Sequence, residues 1–502
     1  MRTRSQQTDA SGTPLEQQDI VIIGAGLSGI NTAHTIKERL PHRDFIILEG
    51  REVLGGTWNF FKYPGFRSDS PLSTFGYRWH PWKHKHLIGK GHEIVEYLDD
   101  AARTDGSYDK IRFSNKVTNL EWLSDEQRWV IDVNANGERR IIKAKFVISC
   151  AGYYSYTQAL HSPIQGLEDF KGTVIHPQWW PEDVDHAGKR IVVIGSGATA
   201  VTIVPTLAET AANVVQLQRS PSYIASRPNG SALLNFLRLF MPLYWAHWLS
   251  WWNDTVYEMI MSSILLYFPT LARFGLALRT RRELPKKVDQ RIHFNPKYNP
   301  FEQRLCLCPD GDFFKALHRD NVEIVTDHID TVTADGILLK SGKKLEADII
   351  VTATGLHLEF LGGVKPKVDG KVMEIGDLYT WRGCMLENMP NMAYIMGYVT
   401  QSWTPAATVM GNTVCKVISN MEEKGATSIT PVIKRYKGMP RKIAVEANST
   451  YFLRAADRVP KVTGEGPWYG RKNLFIDTWA LWFSDLNEGL VYNGGSVDKK
   501  NA

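Results

Sequence analysis

The chain is poor in cysteine. Cys150, Cys306, Cys308, Cys384 and Cys415 are scattered through 502 residues, odd in number, with none before Cys150. This spacing excludes a disulfide framework and points to a reducing compartment. Cys306 and Cys308 read as small buried apolar residues, and no second ligand pair exists for a metal site, so no metal is expected. Long runs of one charge are also missing. With 59 basic against 53 acidic residues and a net charge of +6, the chain has no basic arm, and nucleic acid is not indicated. No apolar stretch reaches the about 20 uninterrupted residues of a membrane-spanning helix. Leu233 to Leu278 comes nearest, but Arg238, Pro242, His247, Asn253, Asp254 and Glu258 break it. It reads as a helical insertion, about 230–292, packed on its own domain and followed by a basic cluster from Arg279 to Lys287; peripheral membrane contact is the alternative. With no signal peptide ahead of the first apolar strand, the expected location is cytoplasmic, with the membrane periphery as the variant. The polar residues 1–18 read as a mobile tail.

What the chain does have is two glycine loops of one plan. Ile20-Val21-Ile22-Ile23 leads into Gly24-Ala25-Gly26-Leu27-Ser28-Gly29, and the next apolar strand, Phe45 to Leu48, ends at Glu49. Ile191-Val192-Val193-Ile194 leads into Gly195-Ser196-Gly197-Ala198-Thr199-Ala200, and Val214 to Gln218 ends at Arg219, followed by Ser220. Each is strand, tight turn, helix, strand. In such a unit the glycines permit the turn, let backbone approach a pyrophosphate and allow close helix packing. An acid after the second strand suits a free ribose hydroxyl, whereas arginine suits a 2′-phosphate. The first loop therefore reads as a site for FAD or NAD and the second as one for NADPH, with electrons passing between them.

The repeat extends to the closing strands, Lys145 to Gly152 and Ala347 to Gly355, each ending at a glycine. Before each lies a segment with the pattern of a small antiparallel excursion, Asn115 to Ile142 and Val322 to Leu345. The expected fold is α/β, with two Rossmann-like dinucleotide-binding domains, the second inserted in the first. The first domain is expected to span 19–154 and the second 155–384, with a return to the first and a C-terminal region over 385–502. From Ser419 onward the pattern is less periodic and reads as helices and loops.

Two further segments carry chemistry. Gly55-Gly56-Thr57-Trp58 through Tyr63-Pro64-Gly65 to Asp69 sets backbone glycines and aromatic walls close to the first loop. Phe170-Lys171-Gly172 through His176 to Trp180-Pro181 lies between the two domains, where a histidine and tryptophans suit a hinge.

On these residues the chain resembles the flavin-dependent Baeyer–Villiger monooxygenases, relatives of the flavin-containing monooxygenases. Residues 170–181 match that family's FxGxxxHxxxW(P/D) fingerprint at Phe170, Gly172, His176, Trp180 and Pro181, and residues 55–69 match its second motif. The stretch His293 to Cys306 is most similar to the subgroup that includes the mycobacterial thioamide-prodrug activator. The resemblance implies FAD, NADPH and O2 as the working set. It also implies a C4a-peroxyflavin that converts ketones to esters or lactones and oxidises sulfides. FAD would then lie against Gly24, Gly26, Gly29, Glu49, Gly56, Thr57, Trp58, Asp69, Val117 and Gly152. NADP would be held by Gly195, Gly197, Ala198, Thr199, Arg219 and Ser220. Arg304 matches the family's active-site arginine and Asp69 the aspartate held near it, so these two are the expected catalytic pair. Gln303 stands where many relatives carry lysine, which implies a less strict NADPH preference. Tyr63 and Trp403 are read as walls of the substrate pocket, and His176 as a domain-coupling residue.

Other classes fit less well. A flavin disulfide reductase needs a cysteine pair after the first loop, and there is none. An N- or S-oxygenating flavin enzyme is closer, but Trp180-Pro181 favours ketones. A non-catalytic dinucleotide sensor, or a membrane scaffold using the aromatic insertion, is the alternative outside enzymes.

Overall fold

The computed structural model describes residues 7–8, 14–160, 162–303, 305–398, 400–433, 442–444 and 453–494. The first sheet is centred on β1 (Pro14–Ile23), which leads through a glycine turn into α1 (Leu27–Arg39) and β2 (Phe45–Leu48). β1 and β2 pair in parallel from Ile20 opposite Phe45 to Ile23 opposite Leu48. β3 (Ile111–Arg112) extends this edge. On the other side β4 (Asn115–Leu123), β5 (Arg128–Ala135) and β6 (Glu138–Ser149) form an antiparallel meander, and β6 lies parallel to β1. The β5–β6 turn falls where Asn-Gly predicts it, with Asn136 and Gly137 at φ of 53° and 91°, the left-handed pair that such two-residue turns require. β1 begins at Pro14, and Leu15 to Gln18 pair with Ile141 to Ala144, so the expected tail through residue 18 is cut short by a strand. The polar run Glu16-Gln17-Gln18-Asp19 hides this extension in the sequence, because its partner is distant.

The second sheet is smaller and wholly parallel. β7 (Thr173–Ile175) and β8 (Arg190–Ile194) are followed by α2 (Ala198–Leu207) and β9 (Asn213–Gln218). The chain then leaves for the insertion: α3 (Ala232–Leu237), α4 (Leu243–Tyr267) and α5 (Pro269–Glu283). It returns in β10 (Val322–Thr326) and β11 (Ile349–Thr352), and the sheet order is β10, β9, β8, β11, β7. Here a sequence expectation is corrected. Val322 to Thr326 is not the start of an antiparallel excursion; it pairs in parallel with β9, Val214 opposite Val322, and only residues 329–346 form the small antiparallel sheet. Ile324 and Val325 are buried, which a half-exposed excursion strand would not need.

The chain rejoins the first sheet at Lys367–Val368, which pairs with β4, ahead of residue 385 where the pattern placed the return. β12 (Met392–Tyr394) then lies beside β6, and α6 (Trp403–Glu423) packs against α1. α6 and α7 (Leu474–Phe483) supply the helices of the C-terminal region. One core lies on each side of the first sheet and one on each side of the second.

Candidate active site

α1 and α2 begin alike. Each follows a strand through a glycine turn, and neither Gly26 nor Gly197, at the N-cap, supplies a side chain to the first-turn N–H groups. Uncapped N–H groups at a helix start, with the positive end of the helix dipole behind them, bind phosphate. Gly24 and Gly195 have φ of 102° and 143°, and a Cβ at Gly195 would strike the carbonyl of Ala353. A Cβ at Gly29 would overlap the Gly24 carbonyl, so the third position of the first loop admits only glycine, whereas the second loop accommodates Ala200. Around Gly197 and Gly152 there is open space within 4 Å of a would-be Cβ, as backbone that receives a ligand requires. Both sites thus fit a dinucleotide.

Glu49, at the end of β2, is buried and accepts from the N–H of Ala25 at 2.8 Å and from that of Arg51 at 3.0 Å. Burial pushes its pKa up; the hydrogen bonds from Ala25 and Arg51 and the Arg51 charge pull the other way. Two N–H donors use two of a carboxylate's roughly four acceptor positions, which leaves capacity for a ribose. Arg219 and Ser220 end β9 exposed to solvent, open to a 2′-phosphate.

The segment from Gly55 to Asp69 joins the two domains. Gly55 donates to the carbonyl of Ala25 at 3.0 Å, pinning the segment to the first loop, and Gly56, at φ of 52°, faces Gly26. Thr57 and Trp58 open a one-turn helix; Thr57 Oγ1 lies 3.4 Å from the hydroxyl of Tyr156, and Trp58 stacks on Phe66 with ring centres 5.2 Å apart. At the far end, Gly65 sits on α2, where a Cβ would strike the Thr206 hydroxyl, and Arg67 pairs with Asp312 of the second domain. Asp69 lies two residues beyond Arg67, half-buried, next to Ser68, whose N–H donates to the carbonyl of Gly89 in the first domain at 2.9 Å. Its expected partner, Arg304, lies outside the described residues.

The fingerprint is divided between a sheet edge and a turn. Phe170 is buried in the second core, and a Cβ at Gly172 would strike the Asp348 carbonyl. Thr173–Ile175 is the edge strand β7, so three residues of the supposed linker belong to the second sheet. His176 Nδ1 accepts from the N–H of Gln178 at 3.2 Å, and the Gln178 amide donates to the carbonyl of Ser155 at 2.8 Å, tying the turn to the strand Tyr154–Ala159. Trp180 and Tyr63 both pack against the core on the opposite face of the second sheet from Phe170, while Pro181 is exposed.

A chain of rings connects Tyr63 to Trp403. Tyr63 lies 6.0 Å from Phe61, Phe61 6.2 Å from Tyr154, Tyr154 4.3 Å from Tyr153, and Tyr153 stacks on Trp403 at 5.3 Å. The Trp403 indole N–H donates to Ser28 at 2.8 Å, fixing this wall to α1. Sequence reasoning missed Tyr153, Tyr154, Tyr156 and Arg67. The run of three tyrosines close after Gly152 was the available clue, and Arg67 stands two residues before Asp69. Val117, also assigned to FAD, is buried in β4 beside a register shift that ends at Asn119. The insertion reaches the same wall: Glu258 of α4 accepts from Thr74 at 2.8 Å and from the hydroxyl of Ser402, beside Trp403, at 3.0 Å. Burial raises the Glu258 pKa, and Arg227 at 3.8 Å opposes the shift.

All five cysteines are free and buried. Burial pushes the thiols of Cys150 and Cys308 up to about 12, which keeps them protonated and inert. One group of possible metal ligands occurs among the described residues, His84, His86 and Glu93, and its carboxylate is already engaged in the fold. Glu93 accepts from His86 at 3.0 Å and from the Lys90 N–H at 2.8 Å, capping the helix Gly91–Asp105.

Residues 74–236 match the model of the flavin-binding monooxygenase-like family, and residues 22–84 that of an NAD(P)-binding Rossmann-like domain. Over 484 residues the chain is 40% identical to the FAD-containing monooxygenase EthA of Mycolicibacterium smegmatis, covering 95% of this chain and 97% of the relative. It is 39% identical to the probable FAD-binding monooxygenase AlmA of an Acinetobacter species, over 95% of this chain and 96% of that one. Among solved structures, a cyclohexanone monooxygenase bound to ε-caprolactone superposes with a TM-score of 0.75 at 20% identity, over 95% of this chain and 100% of the other. An oxidised steroid monooxygenase bound to NADP gives 0.74 at 20% identity, with the same coverage.

Proposed function

The chain belongs to the FAD-containing monooxygenases, and from that premise we propose that it is an NADPH- and O2-dependent Baeyer–Villiger enzyme, converting small ketones to esters or lactones and oxidising sulfides, in the cytoplasm and without a nucleic-acid partner. The observation that carries the reading is the Gly55 to Asp69 segment, fixed at one end to the first glycine loop through Ala25 and at the other to the second domain through Thr206 and Asp312. Such a segment would bring its residues near both dinucleotide sites.

Bound FAD and NADPH supply the redox and oxygen chemistry. The protein binds, orients and excludes water. The α1 and α2 N-termini hold the two pyrophosphates, Glu49 a ribose of FAD, and Arg219 with Ser220 the 2′-phosphate of NADPH. Asp69 orients the nicotinamide and Arg304. Arg304, assigned from its motif alone, supplies a fixed positive charge for a developing oxyanion, since guanidinium stays protonated at any working pH. The aromatic wall from Tyr63 to Trp403 keeps the site apolar, which strengthens that charge. His176 acts as a positioning residue at the domain junction.

NADPH consumption against a panel of linear, cyclic and aryl ketones and sulfides, with products identified, tests the reading. Ester or lactone formed from a ketone is the expected result. Oxidation confined to sulfides or amines would assign the chain to heteroatom oxygenation instead.

A further inference from the structure

The insertion is built inside out. The side of α4 turned to the protein mixes His247, Ser250, Asp254, Thr255 and Ser262 with Ala246, Trp251 and Leu265, all buried, whereas Trp245, Leu249, Val256, Tyr257, Ile260 and Leu266 face outward. A surface helix of a globular protein shows the opposite pattern. The inner side is bound to the first domain, through His247 Nε2 at 3.2 Å from the Tyr77 carbonyl and through Glu258 to Thr74 and Ser402. Only the outer side is available to something else.

That outer side continues in both directions. α4 and α5 meet at 111°, and the corner between them is Tyr267 and Phe268, 78% and 61% exposed. Along α5, Leu271, Phe274 and Leu278 share one face at helical spacing, with Arg281 and Arg282 next in the same register. On α7, Trp479, Trp482 and Phe483 are exposed, and Phe475 lies 6.5 Å from Trp252 of α4, ring centre to ring centre. Apolar patches of this extent on a monomer mark an interaction surface. Its charge is one-sided: within 232–292 the exposed basic residues include Arg273, Arg279, Arg281, Arg282, Lys286 and Lys287, against Asp289 as the exposed acid.

We propose that this face docks on an anionic lipid bilayer. The Tyr267–Phe268 corner and the α7 aromatics enter the boundary between headgroups and acyl chains, and the α5 cations contact lipid phosphates. Apolar groups with Trp and Tyr among them, bordered by cations, match that layered partner. No single described helix is long and apolar enough to cross a membrane; α4 and α5 together have the length and composition of a broken span, but the inner side of α4 is bonded to the first domain, so the proposed mode is docking on the bilayer and not insertion through it.

Flotation of the full chain with vesicles tests this without turnover. Retention is expected on vesicles of equal phosphatidylcholine and phosphatidylglycerol, and weak retention on phosphatidylcholine alone or in about 0.5 M salt, where charges are screened. Arg281→Gln with Arg282→Gln should lower the partition coefficient about five-fold per cation. Tyr267→Asp with Phe268→Asp should abolish retention while flavin absorbance and NADPH oxidation stay unchanged. If that pair fails to fold, Trp479→Ser with Phe483→Ser reads the same face. Wild-type protein that stays off anionic vesicles, or retention indifferent to these variants, overturns the proposal. A dimer in light scattering that the corner variant dissociates, with no vesicle binding, assigns the face to a second copy of the chain and overturns it equally.

Discussion

The carboxylate of Glu49 accepts the main-chain N–H of Ala25 at 2.8 Å, so the acid at the end of β2 is joined to the turn that precedes α1. Its other oxygen takes the N–H of Arg51. Glu49→Gln must turn an amide donor toward one of these two donors. Losing such a bond to a charged group costs about 1.5–3 kcal/mol, so FAD affinity should fall about ten-fold to a hundred-fold. The ratio of bound flavin to protein after gel filtration, followed by titration with FAD, measures it.

Arg219 stands exposed after β9 with nothing but solvent required around it for a 2′-phosphate to approach. Arg219→Ala should raise the KM for NADPH about ten-fold or more, the worth of one charge-assisted contact, and leave that for NADH nearly unchanged. Equal effects on both would remove the phosphate role.

Asp69 is half-buried just beyond the Gly65 and Arg67 contacts to the second domain, so its removal should disturb alignment and not folding. In Asp69→Ala, flavin reduction by NADPH in anaerobic rapid mixing should slow by about ten-fold or more, with FAD content and melting temperature unaltered. A variant that reduces at the wild-type rate would assign Asp69 to the turn alone.

Asp477 on α7 gives a pH dependence. Burial raises its pKa from 3.8 to about 6, while the Tyr398 hydroxyl at 2.8 Å and the N–H of Lys472 pull it down. Between these two values the folded chain binds the proton more tightly than the unfolded one. Stability from this group is therefore present at the acid side and lost as pH rises through about 6, an effect of about 1–3 kcal/mol. Asp477→Asn keeps an acceptor for Tyr398 and should flatten the profile of melting temperature between pH 4 and 7.

Much of the geometry of the candidate site was legible in the sequence because its determinants are local. Gly24, Gly29 and Gly195 answer to turns and contacts within a few residues or to the adjoining strand end, and Glu49 and Arg219 stand at fixed positions after a strand. What was not legible depends on distant partners. Val322 to Thr326 reads as a half-exposed strand until β9 covers it, and Lys367 joins β4 through pairing that no local pattern announces. Arg67 is unremarkable in sequence and becomes a domain contact only when Asp312 is brought to it. α4 shows its composition plainly, but which face turns inward is decided by Tyr77, Thr74 and Ser402.

The anchoring of the Gly55 to Asp69 segment has a mechanical consequence. Its first residue is fastened beside α1 and Gly65 lies flush on α2, with about ten residues of chain between, and an extended chain gains at most ~3.5 Å per residue. Because Phe66 and Ser68 are themselves bonded to Gly91 and Gly89 of the first domain, rotation of one nucleotide domain against the other must either bend this stretch or part Gly65 and Arg67 from α2 and Asp312. Asp69 would then travel with the hinge, and the distance between the two cofactors and the alignment of this carboxylate would change together.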